Sequence, residues 1–230
     1  MLNFYVGDAT RLPINKISPK LIYIDAPYNT SDYENLLTHT LVNIRSFILA
    51  ETSWLVICVN YKRRCLAEKL VQQLFQTLKL HNEIIWSYNF GLYTRKKFVV
   101  SHDTLLVFKR GTPEFYWQQV SIPSQRLESG DPRGDTRGRT PGDVWDIPRK
   151  PGNDLSRRFM KDIYHRQSQP IELCERIVRA YTKYHDLVFD PFMGSGTMAK
   201  ACHFNNRRYI GGDKVEGYVR EVYGYFNKCL

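Results

Sequence analysis

A carboxylate at the end of a short apolar run is the first feature of this sequence that suggests chemistry. In "LIYIDAPYNT", residues 21–30, the run ends on Asp25, and the turn of Ala26, Pro27 and Tyr28 follows at once. An acid is uncommon at the end of a buried strand unless it has a partner or a task. Three further acids end apolar runs in the same way: Asp8, Asp190 and Asp213. Together they predict a cleft that four carboxylates share.

A glycine turn supplies a second group of residues with a chemical use. The stretch "FDPFMGSGTMAKA", residues 189–201, is typical of a strand, a tight turn and the start of a helix. Asp213 lies 19 residues after Gly194, the spacing at which an acid in nucleotide-binding α/β folds binds ribose hydroxyls. The turn is neither a Walker loop nor GxGxxG, so it favours an adenosine-bearing ligand without a phosphate chain.

Apolar periodicity predicts the elements that would position these residues. Strands are predicted at 2–8, 21–25, 53–59, 81–89, 102–110, 187–190 and 208–213, and helices at 35–49, 63–78, 169–184, 197–205 and from about Glu216. Residues 111–152 hold 6 of the 14 glycines and 6 of the 11 prolines, which predicts an irregular insertion. Strands that alternate with helices predict a parallel sheet covered on both faces, with ligands beyond the carboxyl ends of its strands.

Charge and composition narrow the classes of protein. The length of 230 residues is enough for one sizeable domain with an inserted lobe. The formal net charge of +10 favours a polyanionic binding partner. The start of the chain lacks the pattern of a signal peptide, and the longest apolar run, 54–59, is far shorter than a membrane span. The five cysteines form no CxxC pair, and their odd number argues against a disulfide framework. The six histidines lack zinc-ligand spacing. The sequence therefore predicts a cytoplasmic protein without a bound metal.

The acidic turn and the glycine turn together resemble a known family. "DAPY" (25–28) and "FDPFMGSGT" (189–197) are similar to the catalytic D/N/S-P-P-Y/F/W motif and the F-x-G-x-G motif of amino-group DNA methyltransferases that use S-adenosylmethionine. The catalytic motif comes first, an order that resembles the circularly permuted beta group. Further segments fall where that group has motifs: 6–9, 141–149, 165–180 and 208–219. Two positions depart from the pattern, because Ala26 replaces the usual proline and "HRQSQP" (165–170) replaces His-Pro-Thr-Gln-Lys-Pro.

The resemblance implies an architecture and an activity. The fold would be an α/β, doubly wound, mostly parallel Rossmann-like sheet with helices on both faces. Residues 1–110 and 161–230 would form the catalytic and cofactor-binding domain, and residues 111–160 an inserted target-recognition region. The implied activity is methyl transfer from S-adenosylmethionine to the N6 amino group of adenine in DNA.

The resemblance also assigns roles to single residues. An exocyclic amine is a poor nucleophile because its lone pair is delocalised into the ring, so its transition state needs acceptors for both N–H protons. The Asp25 carboxylate and the Ala26 carbonyl would supply them, Pro27 would stiffen the turn, and an extruded base would stack on Tyr28. By the same resemblance, the cofactor would contact Asp8, Ala9, Asp25, His165, Ser168, Phe192, Gly194, Ser195, Gly196, Thr197 and Asp213.

Basic residues predict where nucleic acid binds. The candidates are Arg95, Lys96 and Lys97 in one segment, and Arg137 and Arg139 in the insertion. The expected partner is double-stranded DNA, and a homodimer and a cognate restriction endonuclease are further candidates. Aspartate at position 25 favours adenine in this family, so N4-cytosine methylation is the main alternative. RNA adenine methylation and a non-catalytic DNA-binding subunit are two others. Carbon-5 methylation needs a nucleophilic cysteine, typically in a Pro-Cys pair, which the sequence lacks.

Overall fold

A sheet flanked by helices carries the fold. The computed structural model describes residues 1–12, 17–27, 30–45, 52–88, 94–149 and 168–228. The strands in these residues are β1 (Leu2–Val6), β2 (Leu21–Ile24), β3 (Ser53–Val59), β4 (Leu78–Ser87), β5 (His102–Arg110), β6 (Val144–Asp146), β7 (Leu187–Asp190) and β8 (Arg208–Asp213). The helices are α1 (Tyr33–Ile44), α2 (Arg64–Leu74), α3 (Gln125–Glu128), α4 (Ile171–Tyr181), α5 (Thr197–Phe204) and α6 (Glu216–Asn227), and a 3-10 turn spans Trp117–Val120. No helix of these ranges is long and apolar enough to cross a membrane.

The strand order places a switch point in the middle of the sheet. The order is β1-β8-β7-β2-β3-β5-β4-β6. Neighbouring strands are parallel except at β5, which runs antiparallel to β3 and β4. The chain continues from β2 to β3 on one side and from β7 to β8 on the other, so a crevice opens between β2 and β7 at the carboxyl ends. The predicted mostly parallel, doubly wound α/β sheet is confirmed.

Residues of β2 show why its sequence is apolar throughout. Leu21 and Tyr23 pack in the core under α4, α5 and α6, whereas Ile22 and Ile24 pack in the core under α1 and α2. Successive side chains of a strand point to opposite faces, and all four are buried. A strand covered on both faces therefore reads as a continuous apolar run. Helices cover both faces of the sheet, as predicted.

Four predicted strands agree with the structure at both ends. The strands predicted at 53–59, 102–110, 187–190 and 208–213 are β3, β5, β7 and β8 without change. Helix 63–78 was predicted too long, because α2 ends at Leu74 and Leu78 already begins β4. Phe75 and Leu78 belong to the same core as α2, so the apolar spacing continues past the end of the helix.

The other predicted elements differ at their ends. Among the strands, the one predicted at 2–8 ends at Val6, the one at 21–25 ends at Ile24, and the one at 81–89 spans Leu78–Ser87. Among the helices, the one predicted at 169–184 spans Ile171–Tyr181, the one at 197–205 ends at Phe204, and the one at 35–49 begins at Tyr33. Residues 46–49 of that last prediction lie outside the described residues. Asp8 and Asp25 therefore follow their strands rather than end them, so the alternation of side chains along a strand does not set their directions.

The predicted irregular insertion contains one strand of the sheet. Beside the 3-10 turn and α3, residues 111–149 include β6, which pairs in parallel with β4 and lies at the edge of the sheet. The prediction of a wholly irregular segment was wrong for β6 and for the short helix α3. Trp145 is buried whereas Val144 and Asp146 are exposed, and an alternation of three residues is too short to be recognised as a strand.

Candidate active site

A cavity of about 270 Å³ lies at the carboxyl ends of the parallel strands. All four strand-end acids line it, as the sequence predicted: Asp8, Asp25, Asp190 and Asp213. Eight other predicted site residues line the same cavity: Ala9, Ala26, Pro27, Ser168, Phe192, Gly194, Ser195 and Thr197. Gly196 supports the turn without lining the cavity. Tyr28 and His165 lie outside the described residues.

The glycine turn holds the Asp213 carboxylate in a fixed position. The Gly194 N–H donates to Oδ2 of Asp213 at 3.1 Å, and the Val215 N–H donates to Oδ1 at 2.9 Å. Gly196 has φ +71, and a Cβ there would lie 2.7 Å from Cγ2 of Val222, so only glycine fits. Each carboxylate oxygen keeps acceptor capacity after one backbone bond, so Asp213 can still accept from the hydroxyls of a ligand.

Asp8 lies next to this turn and has its charge stabilised locally. Oδ1 of Asp8 accepts from the backbone N–H and from the hydroxyl of Thr10, each at 2.8 Å. The backbone hydrogen bond is the main reason why the pKa of Asp8 lies below its usual range. Asp8, Gly194 and Asp213 are here called the β8 side of the cavity.

Asp25 stands on the opposite side, in an environment that disfavours its charge. Burial raises the pKa of Asp25 to about 7, the negative charge of Asp103 adds to this rise, and Arg149 opposes it. The Gln169 side-chain N–H donates to Oδ2 of Asp25 at 2.8 Å. A carboxylic acid with a pKa near neutrality exchanges its proton under physiological conditions. Asp25, Asp103, Arg149 and Gln169 are here called the β2 side.

An ion pair from two distant segments completes the β2 side. Asp103, at the amino end of the antiparallel strand β5, is buried and pairs with Arg149, which follows β6. The guanidinium carbon of Arg149 lies 4.6 Å from the centroid of the Trp86 ring and 4.2 Å from that of Tyr88. Stacking on two rings adds cation–π attraction to the ion pair, so the insertion contributes an ordered cation to the cavity.

Sequence reasoning missed most of the β2 side. Trp86, Asp103, Arg149 and Gln169 line the cavity, yet none of them was a predicted site residue. Asp103 and Trp86 meet only because β5 pairs antiparallel with β4 in the register that sets them opposite each other. An acid two positions before the apolar run 105–108 was the one signal available in the sequence.

Asp190 lines the cavity at the end of β7, and each of its carboxylate oxygens accepts one hydrogen bond from within the protein. Oδ1 accepts from the Phe192 N–H at 3.0 Å, and Oδ2 accepts from the Tyr209 hydroxyl at 3.1 Å. Burial is the main reason why the pKa of Asp190 is raised to about 7. Among the described residues, no group of three or more His, Cys, Asp or Glu side chains is arranged to hold a metal ion.

The structure does not bring the predicted nucleic-acid-binding residues into the cavity. Arg95, Lys96 and Lys97 are exposed on the segment before β5. Arg137 pairs with Asp135 at 2.8 Å, and its guanidinium carbon lies 5.4 Å from the centroid of the Trp117 ring. Arg139 joins a backbone bridge with Ile122. Both groups lie outside the residues that line the cavity.

A family model described as DNA methylase, of the N6/N4 methyltransferases, matches residues 20–224. The chain belongs to this family. It is 32% identical to the Type II methyltransferase M.BglII of Bacillus subtilis over 162 residues, which cover 65% of this chain and 43% of that protein. The chain spans between 43% and 65% of the lengths of three curated relatives. Membership of the S-adenosylmethionine-dependent amino DNA methyltransferases, which the motifs predicted, is confirmed, and the permuted beta subgroup stays a prediction.

Solved structures show the same fold. The PvuII DNA methyltransferase, which is cytosine-N4-specific, has a TM-score of 0.70 at 18% identity and covers 98% of this chain and 86% of its own. A Thermus thermophilus protein described as a DNA modification methylase, complexed with S-adenosyl-L-methionine, has a TM-score of 0.69 at 20% identity and covers 99% and 94%. At these identities the likeness concerns the architecture alone.

Proposed function

We propose that this chain transfers a methyl group from S-adenosylmethionine to the N6 amino group of adenine in DNA. The observation that carries the proposal is the shared cavity. A glycine turn with its acid lies on the β8 side, and an aspartate with a pKa of about 7 lies on the β2 side. A donor and an acceptor of a methyl group that bind to these two sides meet within one enclosed space.

The residues of the cavity fit S-adenosylmethionine. Asp213 offers the acceptor oxygens that ribose hydroxyls need, and Phe192 adds an apolar surface next to the turn. Five carboxyl groups line the cavity, on Asp8, Asp25, Asp103, Asp190 and Asp213, against two cationic side chains, Arg149 and Lys214. This excess of acids suits a ligand that carries a sulfonium and an ammonium group. The bound cofactor would supply a methyl group that is already electrophilic.

On the β2 side, Asp25 acts on the target amine. The ionised carboxylate accepts a hydrogen bond from one N–H of the amine. This contact stabilises the positive charge that develops on the nitrogen as its lone pair attacks the methyl group. The Ala26 carbonyl, whose role follows from the family motif, accepts a hydrogen bond from the other N–H of the amine. When the new N–C bond forms, the nitrogen must lose one proton, and a carboxylate with a pKa of about 7 accepts it. Stacking of the extruded base on Tyr28 stays a prediction, since Tyr28 lies outside the described residues.

The insertion supports a role in contacting DNA. Residues 111–160 carry the cation–π-stacked Arg149 to the cavity and expose Arg133 and Arg137 on their surface. The net charge of +10 favours a polyanionic partner. Double-stranded DNA is therefore the proposed substrate, with phosphate contacts at Arg95, Lys96, Lys97, Arg137 and Arg139. A homodimer and a paired restriction endonuclease stay predictions.

One experiment tests the proposal and its alternatives together. The protein is incubated with isotopically labelled S-adenosylmethionine and DNA, and the nucleosides are separated and identified by mass spectrometry. We expect label in N6-methyladenine; label in N4-methylcytosine would assign the cytosine alternative. A parallel incubation with RNA tests the third candidate, and absence of label from both nucleic acids would indicate a non-catalytic subunit. The matched control is the Asp25→Asn variant, which should incorporate no label.

A further inference from the structure

Gln169 connects a residue of β2 with the acid that follows the strand. Tyr23 lies on β2, Asp25 comes directly after its last residue, and both side chains contact the same amide. The Tyr23 hydroxyl donates to the side-chain oxygen of Gln169 at 2.5 Å, and the Gln169 side-chain N–H donates to Oδ2 of Asp25 at 2.8 Å. Gln169 reaches this position from the loop just before α4, where Pro170 precedes the first helical residue.

Simple hydrogen-bond chemistry fixes the direction of this chain of contacts. An ionised carboxylate can only accept hydrogen bonds, so the NH₂ end of the Gln169 amide must face Asp25. The amide oxygen then faces Tyr23, whose hydroxyl is a donor, and the Cys174 thiol lies 3.6 Å from the same oxygen. Tyr23 and Cys174 are buried, so the amide is held from one end by residues of the core.

We propose that Gln169 is a positioning residue that holds the Asp25 carboxylate in the orientation that receives the target amino group. The inference rests on the proposed function. Gln169 does not touch the reacting atoms in this role. It acts through Asp25, and Tyr23 in turn orients Gln169. A carboxylate that follows a strand is otherwise free to rotate about two bonds, and small misplacements of a catalytic group are costly to rate.

The charge at position 169 also has a predictable influence on Asp25. The groups that face this carboxylate are Tyr23 on β2, Cys58 on β3, Asp103 on β5, Arg149 beyond β6, Asp190 on β7 and Cys174 on α4. Two neutral side chains donate directly to the carboxylate, the Gln169 amide and the Cys58 thiol. A glutamate there would add a negative charge and raise the pKa of Asp25, whereas a lysine would lower it.

The experiment compares Gln169→Leu, Gln169→Glu and Gln169→Lys with the wild-type protein. Single-turnover methylation rates, KM for DNA and cofactor affinity are measured against pH, with circular dichroism as the check of folding. We expect Gln169→Leu to lower kcat on the order of 10- to 100-fold, with cofactor affinity nearly unchanged. The midpoint of the rate profile should move to higher pH in Gln169→Glu and to lower pH in Gln169→Lys. Gln73→Glu, on the exposed face of α2, is the matched control without a shift.

A second readout separates this inference from the proposed function. Carboxyl ¹³C NMR follows the titration of Asp25 in each variant and needs no activity. Opposite shifts of the Asp25 titration in Gln169→Glu and Gln169→Lys would support the contact even if no nucleic acid were methylated. Tyr23→Phe, which removes the donor that orients the amide, should give a smaller loss of kcat than Gln169→Leu. Unshifted titrations, or an unchanged kcat in folded Gln169→Leu, would overturn the positioning role.

Discussion

Asp8 and Asp25 are the same residue type at the same edge of the sheet, and their surroundings affect the carboxyl charge in opposite ways. At Asp8, a backbone N–H and a hydroxyl from Thr10 donate directly to the carboxylate and lower its pKa. At Asp25, burial and the charge of Asp103 raise the pKa to about 7. Environments that separate the pKa values of two carboxyl groups separate their roles. The β8 side therefore offers fixed negative charge, and the β2 side offers a group that exchanges a proton.

The two sides also differ in what holds the carboxylates. Asp213 is held by the backbone N–H groups of Gly194 and Val215, which depend on the turn itself. Asp25 is held by a side-chain amide and influenced by the side chains of Asp103 and Arg149. Side-chain partners can be changed one at a time, whereas backbone donors cannot. Substitutions should therefore alter the chemistry of the β2 side without altering ligand binding on the β8 side.

The largest expected effect is that of Asp25→Asn. The amide keeps the size of the carboxylate and loses both its charge and its ability to take a proton, so the methyl-transfer rate should fall by at least about 10²–10³-fold. Rapid-quench measurements at saturating cofactor and DNA report this step. Asp8→Asn is the matched substitution on the β8 side and should lower cofactor affinity far more than the rate. A folded Asp25→Asn protein with nearly full activity would remove Asp25 from catalysis.

The pH dependence of the wild-type rate should show the titration of Asp25. The active form is the ionised carboxylate, so the rate should rise about tenfold per pH unit below a midpoint near pH 7 and level off above it. Asp8, whose pKa is lowered, stays ionised throughout this window and should add no second step. Asp190, whose pKa is also raised to about 7, titrates within it, so carboxyl ¹³C NMR assigns the midpoint to one of the two residues. Single-turnover rates between about pH 5.5 and 8.5 check the profile, and a flat profile would contradict the proton-accepting role.

A smaller effect is expected from Asp213→Ala on the β8 side. Loss of a hydrogen bond to a charged acceptor should weaken cofactor binding by roughly 1.5–3 kcal/mol. DNA affinity should change little, because Asp213 lies on the far side of the cavity from Asp25. Isothermal titration calorimetry with S-adenosylmethionine provides the measurement. Unchanged cofactor affinity would leave Asp213 as a residue that only stabilises the glycine turn.

The smallest effect is expected at two residues of the insertion that do not line the cavity, Arg137 and Arg139. Replacing Arg137 and Arg139 together with alanine should flatten the log–log salt dependence of DNA affinity by up to about two units if both contact phosphate. If Arg137, which is already paired with Asp135, instead contacts a guanine, the slope should fall less and sequence preference should relax. Salt titrations on cognate and scrambled duplexes distinguish these outcomes. An unchanged slope and preference would move the search to Arg95, Lys96 and Lys97.

Local patterns in the chain were enough to predict the part of the β8 side that Gly194 and Asp213 form. The glycine turn, the acid 19 residues later and the buried strands β7 and β8 are close together in sequence, so their mutual geometry follows from one strand–turn–helix–strand unit. The strand-end position of Asp25 could be predicted for the same reason. Element boundaries were predicted wrongly where apolar residues continue at the same spacing from one element into the next, as at the end of α2. The residues of a turn can be buried as well as those of a helix, so the spacing does not mark the boundary.

The sequence by itself determined the alternation of strands and helices and the two motifs of the family, since each depends on residues that are near neighbours along the chain. It also predicted the four acids at one edge, because each follows or ends a strand and parallel strands end at the same edge of the sheet. Only the tertiary structure decided what surrounds Asp25. Gln169 lies 144 residues from Asp25 along the chain, and Arg149 lies 46 residues from Asp103. Their meeting depends on strand order and on the reversed direction of β5, which no local pattern encodes. The pKa of Asp25, and with it the proposed chemistry, is therefore a property of the assembled sheet.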